Sequence, residues 1–454
     1  MNRQLISLSS FLFLALTSQA QSSQPAQNAP APLSWTTNSS PQTAPQPPIV
    51  VRLSVKDAEA IALKNNPAIS VARLNALASQ QVTREVRSNL WPQAYGDITA
   101  VDSRNNSRIT AGALNNPTVY TRAAAGASVS QLITDFGHTT NLVSSARLQA
   151  KADEQFAAAT SQQILLKVDQ AFYDALQTHA VLKVAEQTVA SRQLLSDQVS
   201  ALTKSKLKSD LDLSFANVNL AQSKLLYLDA LNNDKSAQAT LSAILGYPAL
   251  ENFDLINDTD SLQPPPADVD RLIADAFSHR PEILSLEFES QSADKQQKAD
   301  RDQELPTISA LAVFGDSPVR DDRIYGPYGA AGVNVSIPIF NGNKFSAQAH
   351  EASLRAQAIR QRLADLRNNI SRDVRASWLS AGTAFDRVNV SEQLLAQANL
   401  ALDLAQTRYK LGLSSIVELS QAQLQQTQAE IGNAQAGYEY RLALSVLRYQ
   451  TTGL

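Results

Sequence analysis

The sequence predicts a mainly α-helical chain, built by internal duplication, that carries four β-strands of membrane-crossing length. Three observations lead there. One turn is written twice: LTKSKLKSDLDL (202–213) and RYKLGLSSIVEL (408–419) share lysine, leucine, serine and leucine in register, with Glu418 on Asp212. Uninterrupted helical patterning marks two long helices, over about 139–204 and 343–410. At ~1.5 Å per residue each approaches about 100 Å, more than any globular core requires. Four stretches of about ten residues alternate apolar and polar side chains, and that is the length a tilted strand needs to cross a bilayer.

The 454 residues suffice for two or three domains. A net charge of −3 offers no basic surface for nucleic acid. Aromatics are only 6%, and Ala, Leu, Gln and Ser dominate, a bias that favours long helices packed through small side chains. There is no cysteine, hence no disulfide and no acylation on an N-terminal cysteine. Residues 1–20 read as a signal peptide. Arg3 supplies the charge, FLFLAL (11–16) the apolar run, and Ser18-Gln19-Ala20 the small residues before cleavage at Gln21. The alternative is a buried or anchoring helix, but the run is too short to span a bilayer. Residues 21–50 form a flexible Pro/Gln/Ser-rich leader.

The doubled turn belongs to a longer repeat. AEAIALKNNPAIS (58–70) resembles IADAFSHRPEILS (273–285), LWPQAYGD (90–97) resembles LPTISALA (305–312), AAGASVS (124–130) resembles AAGVNVS (330–336), and ITDFG (133–137) resembles IFNG (339–342). The segment holding SRNNSRITAGALNNPT (103–118) is longer in the first half, as a surface loop of variable length would be. The first repeat covers 51–250 and the second 268–454, joined by a linker at 251–267 that includes the acidic DLINDTDS (254–261). Each repeat reads as helix, two strands, long helix, tip and return helix. The first helix covers about 53–89, ending before Trp91-Pro92. The strands lie at about 93–102 and 122–132, then 306–316 and 328–340; the tips lie at about 203–212 and 409–418. The return helices cover about 210–245 and 415–450. Leu395, Ala398, Leu402, Ala405 and Tyr409 recur at spacings of three and four, a coiled-coil seam or a packed amphipathic hairpin.

In the strands, Val333, Val335, Ile337 and Ile339 alternate with Asn334, Ser336, Pro338 and Phe340, and Ala125, Ala127 and Val129 with Gly126, Ser128 and Ser130. Four strands cannot close a barrel, since the smallest known uses eight. Either several chains share one barrel, or the strands form a small soluble sheet.

At this point the chain resembles the TolC-like outer-membrane efflux family. The resemblance covers the chain from Leu53 onward and rests on LSVKDAEAIALKNNP (53–67), SIPIFNGNK (336–344), and RYKLGLSSIVEL followed by AQLQQTQAEI (422–431), in that order. It implies a homotrimer in the outer membrane of a Gram-negative-type bacterium. Each chain would give four strands to one twelve-stranded barrel embedded in outer-membrane lipid, and the helices would form a coiled-coil barrel through the periplasm. The duct would be passive, docked by a periplasmic adaptor (membrane fusion) protein and energised by an inner-membrane transporter, for efflux or type I secretion. The two tips per chain would ring the periplasmic mouth, with Asp212, Glu418 and Tyr409 at the gate and Lys206, Leu207, Ser209, Leu411, Gly412, Leu413 and Ser415 on the docking tips. Six carboxylates around a narrow opening would concentrate cations. The plainer alternative is that each acid only complements the positive end of its helix.

The chain departs from the family at several points. Glycine is usual at both tips; here the second has Gly412 and the first Lys206, so the first tip is expected to turn differently. Where one branch closes its mouth with tyrosine, arginine and two aspartates, Tyr409 and Glu418 match, but Ser414 and Gln421 replace the arginine and second acid. Packing and hydrogen bonds are therefore favoured over an arginine-bridged lock. Lys204, Lys206 and Lys208 suit either an acidic adaptor or simply a soluble tip, the second being favoured; exposed Leu207, Leu411 and Leu413 are the better docking candidates.

No catalytic, metal or cofactor motif is present. His138, His179, His279 and His350 are scattered without metal spacing, and neither a P-loop nor GxSxG occurs. The expectation is a non-enzyme: an outer-membrane duct or, as the alternative, a periplasmic coiled-coil scaffold with a small soluble sheet.

Overall fold

The computed structural model describes residues 51–104, 120–251, 253–257, 262–322 and 325–451. The signal peptide, the leader, most of the 103–118 loop and residues 258–261 of the linker lie outside the described residues. The elements run β1 (Val51–Leu53), α1 (Val55–Asn65), α2 (Pro67–Ser88), β2 (Gln93–Val101), β3 (Arg122–Thr134), α3 (His138–Lys204), α4 (Asp210–Ile244), β4 (Phe253–Leu255), α5 (Val269–His279), α6 (Pro281–Asp302), β5 (Thr307–Arg320), β6 (Pro327–Ser336), α7 (Lys344–Lys410) and α8 (Ile416–Thr451). The order helix, helix, strand, strand, long helix, return helix occurs in residues 55–244 and again in 269–451. The chain is thus mainly helical.

The helix expected over about 53–89 is two helices. Proline disfavours the α conformation in the residue before it, and Asn66 is extended there while Pro67 opens α2. The Asn66 side-chain oxygen accepts from Ala68 N at 2.9 Å, and its amide donates to the Ile244 carbonyl at the end of α4, 2.8 Å away. The second half breaks likewise at Arg280–Pro281. Arg280 is buried, pairs with Glu282 at 3.0 Å and donates to Gln450 near the end of α8 at 2.9 Å.

The linker is more ordered than its composition implies. It contains β4, which pairs in parallel with β1, Leu53 opposite Leu255. Further on, Trp378 donates to the Pro266 carbonyl at 2.6 Å and the Tyr440 hydroxyl to that of Gln263, tying the linker to α7 and α8.

Small side chains let the helices close up: Ala159, Ala171, Ala175 and Ala185 of α3 and Ala216, Ala230 and Ala237 of α4 are buried. The two halves interleave. The long helix α3 packs on α2 and α4 of its own half and on α6 and α8 of the other.

The four long strands form one antiparallel sheet in the order β2-β3-β5-β6. Its register sorts the side chains cleanly. One row carries Gly96, Ala127, Phe314 and Gly329, and another Ala94, Val129, Ala312 and Ala331. Ile98 beside Ala125 and Ile308 beside Val335 share this face by the two-residue period. The rows between them hold Tyr95, Ser128, Val313 and Ala330, then Gln93, Ser130, Leu311 and Gly332. The first face is apolar in its central rows, with Asp316 beside Ala125 and Gln131 beside Ala310 toward its ends, and the other face is mixed. The apolar face is uncovered, with Ile98 90% and Val333 64% exposed. Among the described residues, β2 and β6 have no strand neighbour on their outer sides. The strand expected to reach 340 stops at Ser336, since Pro338 has no N–H to give a ladder.

Candidate functional site at the paired helical tips

The two tips are made by the same backbone device. At the first, Lys206 N–H donates to the Thr203 carbonyl and Leu207 N–H to that of Leu202, both at 2.9 Å. At the second, Gly412 N–H donates to Tyr409 at 3.2 Å and Leu413 N–H to Arg408 at 2.8 Å. Each is a Schellman turn around one left-handed residue, Lys206 at φ 57° and Gly412 at φ 74°. The expectation that lysine makes the first tip turn differently is overturned. Left-handed backbone costs a non-glycine residue about 1–2 kcal/mol, and the turn's hydrogen bonds offset it.

The serines cap the return helices. Ser209 Oγ accepts from Asp212 N at 3.1 Å, and the Asp212 carboxylate accepts from Ser209 N at 3.1 Å and its hydroxyl at 2.7 Å, a complete capping box. Ser415 Oγ accepts from Glu418 N at 3.4 Å. Glu418 turns to Arg408 of its own hairpin, 3.1 Å away, a pair that sequence spacing alone did not flag. Asp212 and Glu418 thus occupy equivalent helix starts but are held differently.

Tyr409 is where the hairpins meet. Its ring is buried with Ala405, Ile416 and Leu419, against Leu195 and Phe215 of the first hairpin. The Lys208 ammonium sits 3.8 Å from the ring centroid, a cation–π contact, and reaches the Tyr409 carbonyl at 3.5 Å. Burial pushes the Tyr409 phenol up to about 12, and the nearby Asp212 carboxylate adds to the rise. The hydroxyl nonetheless makes no hydrogen bond of ordinary geometry. The structure therefore brings Tyr409, Lys208 and Asp212 together and leaves Glu418 apart. Leu207, Leu411 and Leu413 project from the turns, each 68–70% exposed.

Two ties between the hairpins lie higher up. Asn219 of α4 donates to Ser420 of α8 at 2.7 Å. Arg192 of α3, only 6% exposed, donates to the Gln423 carbonyl at 3.0 Å and the Thr427 hydroxyl at 3.2 Å. An arginine in the interior of a small-residue helix was the one signal for this tie in the sequence.

The family described as outer membrane efflux protein matches residues 60–247 and 272–451. The chain belongs to that family. Membership in the outer membrane efflux proteins places it in the outer membrane, as a channel protein of efflux or secretion. Outer membrane efflux protein BepC of Brucella suis is 24% identical over 391 residues, 84% of this chain and 81% of that one. Outer membrane protein TolC of Escherichia coli is 24% identical over 397 residues, 82% and 77% of the two chains. A crystal structure of CusC superposes with a TM-score of 0.77 at 20% identity, covering 90% of this chain and 94% of that one.

Proposed function

We propose that three copies of this chain assemble into the exit duct of a tripartite efflux pump or type I secretion system. The sheet carries this reading: an uncovered, largely apolar face in strands of membrane-crossing length, with the outer sides of both edge strands unpaired among the described residues. Long open edges and exposed apolar faces are liabilities in water, and a closed barrel in lipid removes both. Three chains of four strands give about twelve, enough to close. The helical patterning of two equivalent halves then supplies twelve helices around one axis, the product of an internal duplication. Exposed Leu394, Leu400 and Leu404 along α7 suit contact with a neighbouring copy.

In this reading the tips form the periplasmic mouth. Tyr409 packed under Lys208, with the ties from Asn219 and Arg192, holds the second hairpin against the first. That is a gate of packing and hydrogen bonds. The exposed Leu207, Leu411 and Leu413 meet a periplasmic adaptor, with Lys206, Gly412, Ser209 and Ser415 shaping the turns that present them. An inner-membrane transporter supplies the energy, since a passive duct has none. Cargo is chosen by that transporter.

The test is detergent extraction followed by single-channel recording in a planar bilayer. A heat-modifiable trimer with a small conductance is the expected result. A monomer stable in plain buffer, with no membrane insertion, would mean the strands close no barrel and would favour the periplasmic scaffold.

A further inference from the structure

Between α3, α4 and α8, above the tips, runs a groove of about 380 Å3. Its size falls in the range of small-molecule sites, roughly 300–1,000 Å3. Arg192 lines it and is almost fully buried. One guanidinium nitrogen, Nη2, makes both of the bonds to α8. The N–H groups on Nε and Nη1 have no protein hydrogen-bond partner among the described residues, nor does Arg192 form an ion pair there. Glu430, a turn beyond Thr427, acts on it only at longer range, and burial raises the Glu430 pKa in turn. A buried cation without a contacting anion is unfavourable, and removing its charge is not open to arginine. Gln423 beside it is also buried, with its side-chain oxygen unpartnered. The groove walls add Leu226, Leu424 and Ile431, an apolar surface next to the charge.

We propose that this groove binds an organic anion, a carboxylate on an apolar body, with the carboxylate on Arg192 and the body along Leu226, Leu424 and Ile431. Arginine recognises carboxylates through parallel charge-assisted N–H bonds, and here only Nη2 is taken up by the protein. An occupant would supply the missing counter-ion at the tie between hairpins, and so brace α8 against α3. The proposal goes beyond the duct reading and stands or falls separately from it.

The probe is 2-naphthoate, with neutral 2-naphthamide as its control. Calorimetry uses the intact protein as extracted in a non-ionic detergent. Naphthoate is expected to bind, and naphthamide to bind at least about tenfold more weakly. Arg192→Gln should weaken naphthoate by a similar factor. Because that variant also loses the bonds to Gln423 and Thr427, Leu424→Trp serves as a second test: it fills the groove, keeps Arg192, and should abolish binding with the fold intact. Equal binding of acid and amide, unchanged binding in Leu424→Trp, or no binding of naphthoate to the intact protein would each overturn the proposal.

Discussion

Lys206 holds a backbone conformation that glycine adopts at little cost, as Gly412 does at the matching turn. Replacing Lys206 with Gly should stabilise the first tip by about 0.5–1 kcal/mol, the left-handed penalty less the added freedom of glycine in the unfolded chain. Thermal melting should show Lys206→Gly rising and Gly412→Lys falling. A second prediction concerns Glu59 on α1, packed beside Asp169, which is 2% exposed. Burial, then the Asp169 carboxylate, pushes Glu59 up to about 7. A raised acid is favourable while protonated, so its contribution is intact below about 4.5 and lost as pH climbs through 7. Glu59→Gln should therefore match the wild type near pH 4.5 and melt higher at pH 8, by roughly 1–2 kcal/mol after allowing for partial exposure. A pH-independent difference would show that the carboxyl pair is not the cause. Lys206 stood out in the sequence as the residue in place of a tip glycine, but it was expected to change the turn, and the fold instead keeps the positive φ. Glu59 did not stand out, since a glutamate in a first helix reads as solvated and only the fold supplies its buried neighbour.

The strands illustrate what periodicity does and does not tell. Their alternation marked an apolar face, and the register assembles that face row by row. It could not mark Tyr328, whose ring lies across Gly315 and Gly126 of the neighbouring strands in one row. A methyl group at either glycine would run into the Tyr328 hydroxyl and strand backbone. Gly126→Val should disrupt that row and reduce the yield of heat-modifiable oligomer on gels, while Gly332→Ala, which meets open space, should not. The helices were legible for a different reason. Long runs without proline marked α3 and α7 almost to the residue, whereas the breaks before Pro67 and Pro281 were both passed over, each repeat being read with a single first helix because apolar spacing continues through the proline.

The repeated turn signalled two equivalent acids per chain, yet their equivalence is only local. Asp212 is consumed by its cap and Glu418 is shared with Arg408, partners that a linear spacing argument does not rank. In the assembled duct six carboxylates would still bias the mouth toward cations. Asp212→Ala with Glu418→Ala should shift reversal potentials in a salt gradient toward the non-selective value. Unchanged potentials would remove the acidic ring and leave both residues as helix caps. Identity with relatives is low, yet the fold matches that of CusC over 90% of the chain at a TM-score of 0.77.

The helix breaks have a mechanical consequence. Asn66 grips the far end of α4, and Arg280 grips α8 close to its end, through Ile244 and Gln450. Each return helix is therefore a lever with a fixed pivot, 35 or 36 residues long, or about 50 Å at the ordinary rise. A swing of about 10° at the pivot carries the far end through about 9 Å. Displacements too small to disturb the packed elbow are thus magnified where Leu207 and Leu413 protrude, and a push on those leucines acts with the full mechanical advantage of the arm.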